Sequence, residues 1–211
     1  MLRLYYAEPV AALDDVSQEL FSDYRKERLA NLRPSERRRQ SVAAELLLMH
    51  AIRSLDPGCP LPLKLWADEN RKPRFVDGGT QFSLSHTKGL VACAVSDRAV
   101  GVDVEHERPC HEALARRFFT REEQRFLQAS SAPDRDFTML WTLKESYVKA
   151  LGLGLRQPLN SFSVCIGERI VIREDDSVGF WHTCLGSQHI AICVPGCPKL
   201  VPDTIENIKL L

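Results

Sequence analysis

The stretch that decides the fold is Val100-Gly101-Val102-Asp103-Val104-Glu105-His106-Glu107. Apolar and acidic residues alternate in it, which is typical of a β-strand. Asp103 and Glu105 then project from one face with Cα atoms roughly 6.6 Å apart, while Val102 and Val104 can be buried on the other. Neighbouring carboxylates repel each other. Their face is therefore either exposed at a sheet edge or holds a hard cation such as Mg²⁺.

The composition limits the class of protein. Of 211 residues, 44% are hydrophobic and 27% are charged, and 28 basic residues balance 28 acidic ones. These values suit a globular protein of one or two domains, and the zero net charge argues against bulk binding of nucleic acid. The chain shows no apolar run of membrane-spanning length and no secretory pattern, so we expect a cytoplasmic protein that binds no membrane. Cys193 and Cys197 are close in sequence, but no Cys/His pair accompanies them, which argues against a zinc site.

The first half of the chain alternates between helix and strand patterns. An apolar helix ends before the turn signal Asp56-Pro57-Gly58. Short turns then join three strand patterns, which predicts an antiparallel meander. The predicted elements are a strand over 2–7, helices over 16–30 and 38–55, and strands over 82–86, 90–95 and 100–105.

The second half begins with helices and ends with strands. Thr120 and Glu123 match a capping box, which predicts a helix start, and Gly152 ends a later long helix. From residue 195 the chain is rich in proline, so we expect little regular structure there. The predicted elements are helices over 114–119, from 120 onward and over 135–151, and strands over 161–166, 169–173, 179–184 and 189–194.

A weak internal repeat indicates the fold class. An apolar helix followed by strands occurs twice, about a hundred residues apart, and the strand pattern over 90–95 has a counterpart over 189–194. We infer an α+β fold of two pseudo-symmetric halves, residues 1–108 and 109–211. Each half would have a long helix packed on a small antiparallel sheet. Two internal halves also favour a monomer.

The segment from Trp141 to Lys149 is the second informative stretch. Glu145 and Lys149 are four residues apart on a predicted helix, so they share a face, as in an exposed ion pair. Beside Asp103 and Glu105, however, Glu145 would complete a three-carboxylate site for Mg²⁺ and leave Lys149 to face a phosphate. A cation and a lysine around a pyrophosphate are what phosphoryl-type transfer requires.

A run of three arginines, Arg37, Arg38 and Arg39, stands at the predicted start of the apolar helix. Positive charge at a helix N-terminus opposes the helix dipole. The run is therefore either exposed to solvent or paired with an anion such as a phosphate.

Taken in order, the motifs between residues 70 and 165 resemble those of the 4′-phosphopantetheinyl transferases of the surfactin-synthetase-activating type. They are Lys72-Pro73, Ser85-His86, Gly101-Val102-Asp103-Val104-Glu105, Phe119-Thr120-Arg121-Glu122-Glu123, the Trp141–Lys149 helix and Gly152-Leu153-Gly154-Leu155. The resemblance implies two pseudo-symmetric halves with the active site at their interface. It also implies a reaction in which a serine of an apo acyl or peptidyl carrier protein attacks coenzyme A, takes phosphopantetheine and releases 3′,5′-ADP. Such enzymes serve fatty acid, polyketide or nonribosomal peptide biosynthesis.

The resemblance also implies roles for individual residues. Asp103, Glu105 and Glu145 would bind Mg²⁺ or Mn²⁺. Lys149 would neutralise the phosphates, and Glu145 or a metal-held water would take the serine proton.

The nucleotide end of coenzyme A is expected to lie against Lys72, Ser85 and His86, with His86 near the 3′-phosphate. The family carries scattered basic residues near its N-terminus. This chain offers the run Arg37 to Arg39 in their place, so the resemblance leaves open which arginine touches coenzyme A.

Two other functions fit parts of the pattern. A metal-dependent nuclease also combines an acidic strand with Glu and Lys. In such nucleases the Glu and the Lys are usually two residues apart on a strand, whereas Glu145 and Lys149 are four residues apart in a helical pattern. A non-catalytic coenzyme A binding module of the same fold would be expected to lose the acids and Lys149 first, and both are intact here.

Overall fold

The computed structural model describes residues 1–210, the side chain of Leu155 excepted. The side chain of Leu155, which closes the predicted Gly-x-Gly-Leu motif, and Leu211, which ends the predicted second half, thus lie outside the described part of the chain. Of the helices in residues 1–210, none is long and apolar enough to cross a lipid bilayer.

The helices and strands follow the predicted alternation closely. The strands are β1 (Leu2–Ala7), β2 (Leu65–Ala67), β3 (Pro73–Phe75), β4 (Gln81–Thr87), β5 (Leu90–Ser96), β6 (Gly101–His106), β7 (Val164–Ile166), β8 (Ile170–Ile172), β9 (Gly179–Leu185), β10 (Gln188–Val194) and β11 (Thr204–Asn207). The α-helices are α1 (Asp23–Ala30), α2 (Glu36–Leu55), α3 (Glu112–Phe118), α4 (Arg121–Ala129) and α5 (Pro133–Leu151).

The chain forms two compact units. The first contains residues 1–98 and the C-terminal segment from Pro202, and the second contains residues 99–201. The division thus falls at Arg98, before the acidic strand, whereas the sequence placed it after residue 108. The reason is that β6 pairs with β10 and packs on α5, both of which belong to the second unit.

The first unit is a long helix on a four-stranded sheet. The strand order is β11-β1-β5-β4, with β5 antiparallel to both of its neighbours and β11 parallel to β1. Helix α2 begins at Ser35, whose hydroxyl accepts a hydrogen bond from the backbone N–H of Arg38. Apolar residues of α2 such as Leu47 and Leu48 are fully buried in the same core as Val91 and Cys93 of β5, so burial of this face stabilises the unit.

The second unit repeats the arrangement with a three-stranded antiparallel sheet. Its strand order is β6-β10-β9, and α5 packs on β6 and β10. The helix ends at Gly152, whose φ of 71° suits the left-handed C-cap that glycine adopts most easily. The predicted α+β architecture, a long helix on a small sheet in each half, is confirmed. Strands β5 and β10, which the repeat had matched, each lie inside their sheet and against the long helix.

Two predictions about strand pairing are wrong. Strands β4 and β5 form the predicted hairpin, but β6 leaves this sheet and pairs with β10, so the three-stranded meander does not form. The tail is not irregular throughout, because β11 pairs with β1. The predicted helix over 16–30 is also shorter, beginning only at Asp23, where Ser22 provides the N-cap.

Candidate active site

The position of the acidic strand depends on Gly101. A Cβ atom at this position would lie 1.9 Å from the backbone oxygen of Ser146 and 2.4 Å from the backbone nitrogen of Ala150. Strand β6 therefore lies directly on the backbone of α5, which only glycine permits. Residues two and four further along the strand share the face of Gly101, so Asp103 and Glu105 are turned toward α5.

An ion pair joins the two predicted motifs. The Nζ atom of Lys149 on α5 donates a hydrogen bond of 2.6 Å to Oδ1 of Asp103 on β6. The Asp103 side chain is only 5% exposed, and that of Lys149 is 30% exposed. The acidic face is thus not an ordinary solvent-exposed edge. Val102 and Val104 on the opposite face are buried, as the alternation predicted.

Glu105 and Glu145 are affected by the same group of charges. Burial and, next, the negative charge of Asp103 raise the pKa of Glu105 to about 7, while the positive charge of Lys149 opposes the rise. Burial, followed by the charge of Asp103, also raises the pKa of Glu145. Carboxylates that are desolvated and repel one another favour a bound cation. The donor set is all oxygen, so it fits Mg²⁺ or Mn²⁺ better than a soft metal.

Arg108 also belongs to this group, although it lies in none of the sequence motifs. Its guanidinium carbon lies 4.6 Å from the ring centroid of Trp141, and its backbone N–H donates to the Thr138 hydroxyl at 3.2 Å. The positive charge of Arg108 lowers the pKa of both Glu105 and Glu145. The available signal was an arginine three residues after Glu105. The strand pattern alone did not show that Trp141 would provide its platform.

Two of the motif residues, Lys144 and Glu123, have a structural role. The Nζ atom of Lys144 is fully buried and donates to Oε1 of Glu123 at 2.6 Å and to the backbone oxygen of Phe162 at 2.7 Å. Oε2 of Glu123 accepts from the backbone N–H of Thr120, which completes the predicted capping box. Oε1 also accepts from the backbone N–H of Val164. This pair fixes α4 and β7 to α5, and breaking a buried pair of this kind is costly.

The first unit contains a small basic cavity. Its volume is about 140 Å³, and the lining residues are Arg25, Arg28, Leu32, Arg37, Ser41 and His86. Arg25 is held in place because its Nε lies 3.2 Å from Oε2 of the buried Glu45 and its Nη1 donates to the Ser41 hydroxyl at 2.8 Å. The cavity thus combines a fixed arginine with more exposed basic side chains, which suits an anion.

The three consecutive arginines do not act together. Arg37 lines the basic cavity. Arg39 instead forms an ion pair with Asp14, in which Nη1 lies 2.9 Å from Oδ2. The backbone N–H of Arg38 donates to the N-cap hydroxyl of α2.

The other predicted nucleotide contacts are spread over the first unit. His86 and Ser85 are neighbours in β4, so their side chains lie on opposite faces of the sheet, and only His86 lines the cavity. Lys72 lies at the end of the turn between β2 and β3, where its backbone N–H donates to Oδ1 of Asp68 at 2.9 Å.

Comparison with known proteins identifies the family. A sequence model described as the 4′-phosphopantetheinyl transferase superfamily matches residues 99–193. The 4′-phosphopantetheinyl transferase gsp of Aneurinibacillus migulanus is 41% identical over 97 residues, which cover 45% of this chain and 40% of that protein. The 4′-phosphopantetheinyl transferase HetI of Nostoc sp. is 33% identical over 166 residues, which cover 72% of this chain and 68% of HetI.

Among solved structures, the holo-[acyl-carrier-protein] synthase of Thermotoga maritima matches with a TM-score of 0.42 and 20% identity, over 47% of this chain and 63% of that one. Of the two sequence relatives, the match with gsp spans less than half the length of gsp, and the match with HetI spans about two thirds of the length of HetI. The extent of the match with HetI decides the family, as the ordered motifs predicted: the chain belongs to the 4′-phosphopantetheinyl transferase superfamily.

Proposed function

We propose that the protein transfers 4′-phosphopantetheine from coenzyme A to a serine of an apo acyl or peptidyl carrier protein and releases 3′,5′-ADP. The observation that carries this proposal is the ion pair between Asp103 and Lys149, with the charges of Glu105 and Glu145 coupled to it. The proposal places the protein in fatty acid, polyketide or nonribosomal peptide biosynthesis, where carrier proteins require this modification.

Asp103, Glu105 and Glu145 would hold Mg²⁺ or Mn²⁺. When bound, such an ion neutralises charge on the pyrophosphate and on the leaving phosphate oxygen. The raised pKa of Glu105 and of Glu145 supports this assignment, because the cost of keeping these carboxylates ionised is offset when a cation is present.

Lys149 is proposed to stabilise the transition state. Its ammonium group lies against Asp103 and is still 30% exposed, so it is available to an incoming phosphate. As the pyrophosphate bond breaks, negative charge grows on the leaving phosphate. A fixed positive charge stabilises that state more than the ground state.

Glu145 is proposed to accept the proton of the attacking serine hydroxyl. Each of its carboxylate oxygens has more than one lone pair, so a carboxylate that holds the metal ion can still accept this proton, and a metal-held water is the other proposed acceptor. The place of Glu145 on α5, one turn before Lys149, puts base and electrostatic stabiliser on one helix face.

The nucleotide end of coenzyme A is assigned to the basic cavity of the first unit. Arg37 and His86 are the proposed contacts of the 3′-phosphate, since both line the cavity and both can donate charge-assisted hydrogen bonds. Arg39 is a weaker candidate because Asp14 already neutralises it. Lys72 and Ser85 remain predictions from the family motifs.

The test is transfer to a carrier protein followed by intact mass measurement. The full chain is incubated with Mg²⁺, coenzyme A and an apo carrier protein, and the carrier should gain the mass of one phosphopantetheine group. A carrier lacking the acceptor serine, Asp103→Asn, and excess chelator should each prevent the gain.

Other outcomes would separate the alternatives. Binding of coenzyme A without a mass gain on any carrier would favour the non-catalytic module, and Mg²⁺-dependent cleavage of nucleic acid would favour the nuclease. Full transfer in excess chelator would exclude a metal role for the three carboxylates.

A further inference from the structure

The β9–β10 hairpin brings together three side chains that are not part of the proposed transfer chemistry. His182 and Cys184 are two residues apart on β9, so they share a face. His189 lies directly opposite Cys184 on β10. Gly186, with φ of 59°, forms the tight turn that sets this register.

The spacing of the three ligand atoms is close to that of a tetrahedral metal centre. Nε2 of His182 lies 3.1 Å from Nδ1 of His189, and Sγ of Cys184 lies 3.8 Å from the same nitrogen. The three atoms are all within 4.8 Å of one another. Around a tetrahedral ion with ligand bonds of about 2.0–2.3 Å, donor atoms are separated by roughly 3.3–3.8 Å. Only small side-chain movements are therefore needed for the three atoms to bind one ion.

The other nitrogen of His189 faces a carboxylate. Its ring is fully buried, and Nε2, which has no hydrogen-bond partner among the described residues, lies 3.8 Å from Oε2 of Glu107, so a small movement of Glu107 would close a hydrogen bond. A carboxylate on one ring nitrogen favours the tautomer in which the other nitrogen is free to bind a metal. Nδ1, the nitrogen that faces His182 and Cys184, is then the ligand atom.

The charged groups that act on the two histidines are of both signs. Arg135 opposes positive charge at both histidines, while Glu107 and Asp136 favour it at His189. Burial lowers the pKa of His182 to about 4 and also lowers the pKa of His189.

We propose that His182, Cys184 and His189 form a binding site for one thiophilic divalent ion, Zn²⁺ in the cell. On binding, the Cys184 thiol loses its proton to solvent, and its sulfur joins the two imidazole nitrogens as a ligand, with water in the fourth position. The sequence argued against zinc from Cys193 and Cys197, and neither belongs to this group. Because its donors are nitrogen and sulfur, the site selects a different class of metal from the three carboxylates.

The competing explanation is a metal-free hydrogen bond between the two neutral imidazoles, which the distance of 3.1 Å also allows. Titration of the full chain with Co²⁺, in the presence of excess Mg²⁺, separates the two. Tetrahedral Co²⁺ bound to a thiolate gives a sulfur-to-metal charge-transfer band and strong visible absorption. We expect both in the wild type, at one Co²⁺ per chain, and expect Zn²⁺ to abolish them.

Substitutions of single side chains test which residues are ligands of the metal ion. Cys184→Ser and His182→Gln should lose the charge-transfer band, whereas the control Cys197→Ser should keep it. Glu107→Gln should weaken Zn²⁺ binding by about tenfold or more, because the Glu107 carboxylate orients the His189 ring without being a ligand itself. On the wild-type chain itself, Zn²⁺ should protect Cys184 from alkylation, as measured by peptide mass.

The proposal is overturned if wild-type protein shows no thiolate–Co²⁺ band, if the band survives either ligand substitution, or if Zn²⁺ leaves Cys184 as reactive as before. The alkylation measurement needs no variant, so a ligand variant that misfolds does not prevent the test.

Discussion

Lys149 and Asp103 are separated by 46 residues, yet the ammonium of one and the carboxylate of the other form a hydrogen bond of 2.6 Å. The contact exists because Gly101 lets the acidic strand lie on the backbone of α5. Strand and helix therefore act as one unit, in which the lysine is held at the acids before any substrate arrives. Preorganised charge of this kind is the usual source of electrostatic catalysis.

Replacing Lys149 by alanine should reduce turnover by about a hundredfold while changing the affinity for coenzyme A much less. The reason is that its charge is needed most when the pyrophosphate bond breaks. Single-turnover rates and coenzyme A binding, measured on the same preparation, test this. Arg116→Ala is the matched control, because it removes a basic residue from an exposed ion pair with Glu112 in the same unit. Near-normal turnover in Lys149→Ala would show that Lys149 has only a structural role, as the partner of Asp103 in an ion pair.

Glu105 should make the stability of the metal-free protein depend on pH. Its pKa of about 7 in the folded protein exceeds the ordinary value of 4.5, so the folded state binds more protons between these two values. The free energy of unfolding should fall as pH rises through this window and level off above it. The contribution of Glu105 should be about 2 kcal/mol, because solvent partly screens the side chain.

Urea unfolding between pH 4 and 8, in chelator, measures this contribution. Glu105→Gln should remove it, and Glu112→Gln, which changes an exposed carboxylate, should keep the wild-type pH dependence. Identical pH profiles for the wild type and Glu105→Gln would contradict the raised pKa.

A methyl group at Gly101 should separate β6 from α5. Gly101→Ala places a carbon 1.9 Å from the Ser146 oxygen, and both partners are backbone atoms that cannot rotate away. We expect a loss of about 3 kcal/mol in the free energy of unfolding, together with loss of transfer activity. Gly167→Ala is the control, since its nearest atom would be 3.9 Å away and its effect should stay within about 0.5 kcal/mol. Equal stability of the two variants would mean that β6 does not need this close approach.

The basic cavity should determine the recognition of the 3′-phosphate. Arg37→Ala and His86→Ala should each raise KM for coenzyme A by about tenfold, the value expected for one charged hydrogen bond, and change turnover less. Both variants should also discriminate poorly between coenzyme A and its 3′-dephospho form. Arg39→Ala, whose guanidinium already pairs with Asp14, should keep the wild-type ratio of KM values. If His86→Ala keeps that ratio too, His86 does not contact the phosphate.

Local patterns predicted the elements and placed the acids Asp103 and Glu105 on one face of a strand. The alternation around Asp103 and the capping box at Thr120 depend on residues close in sequence, so both are recovered in the structure. Pairing between distant segments was not predictable in this way. The sequence near β6 does not specify β10 as its partner, and a short tail such as β11 carries no signal for the strand it joins.

The contacts between side chains from distant segments could not be predicted, for the same reason. Arg108 becomes significant only when Trp141 lies beneath it. His182 and His189 meet only through the register of a hairpin. A residue type and its spacing can suggest a role, but the partner that gives the role its chemistry is set by packing between elements.

The parallel pairing of β11 with β1 has a consequence for how the chain folds during synthesis. Strand β1 is synthesised about 200 residues before the strand that covers its free edge, and the whole second unit is synthesised between them. Until then, β1 presents unpaired backbone donors and acceptors to any other extended chain. Nascent chains should therefore be prone to aggregate from the pairing of β1 with β5 until β11 emerges.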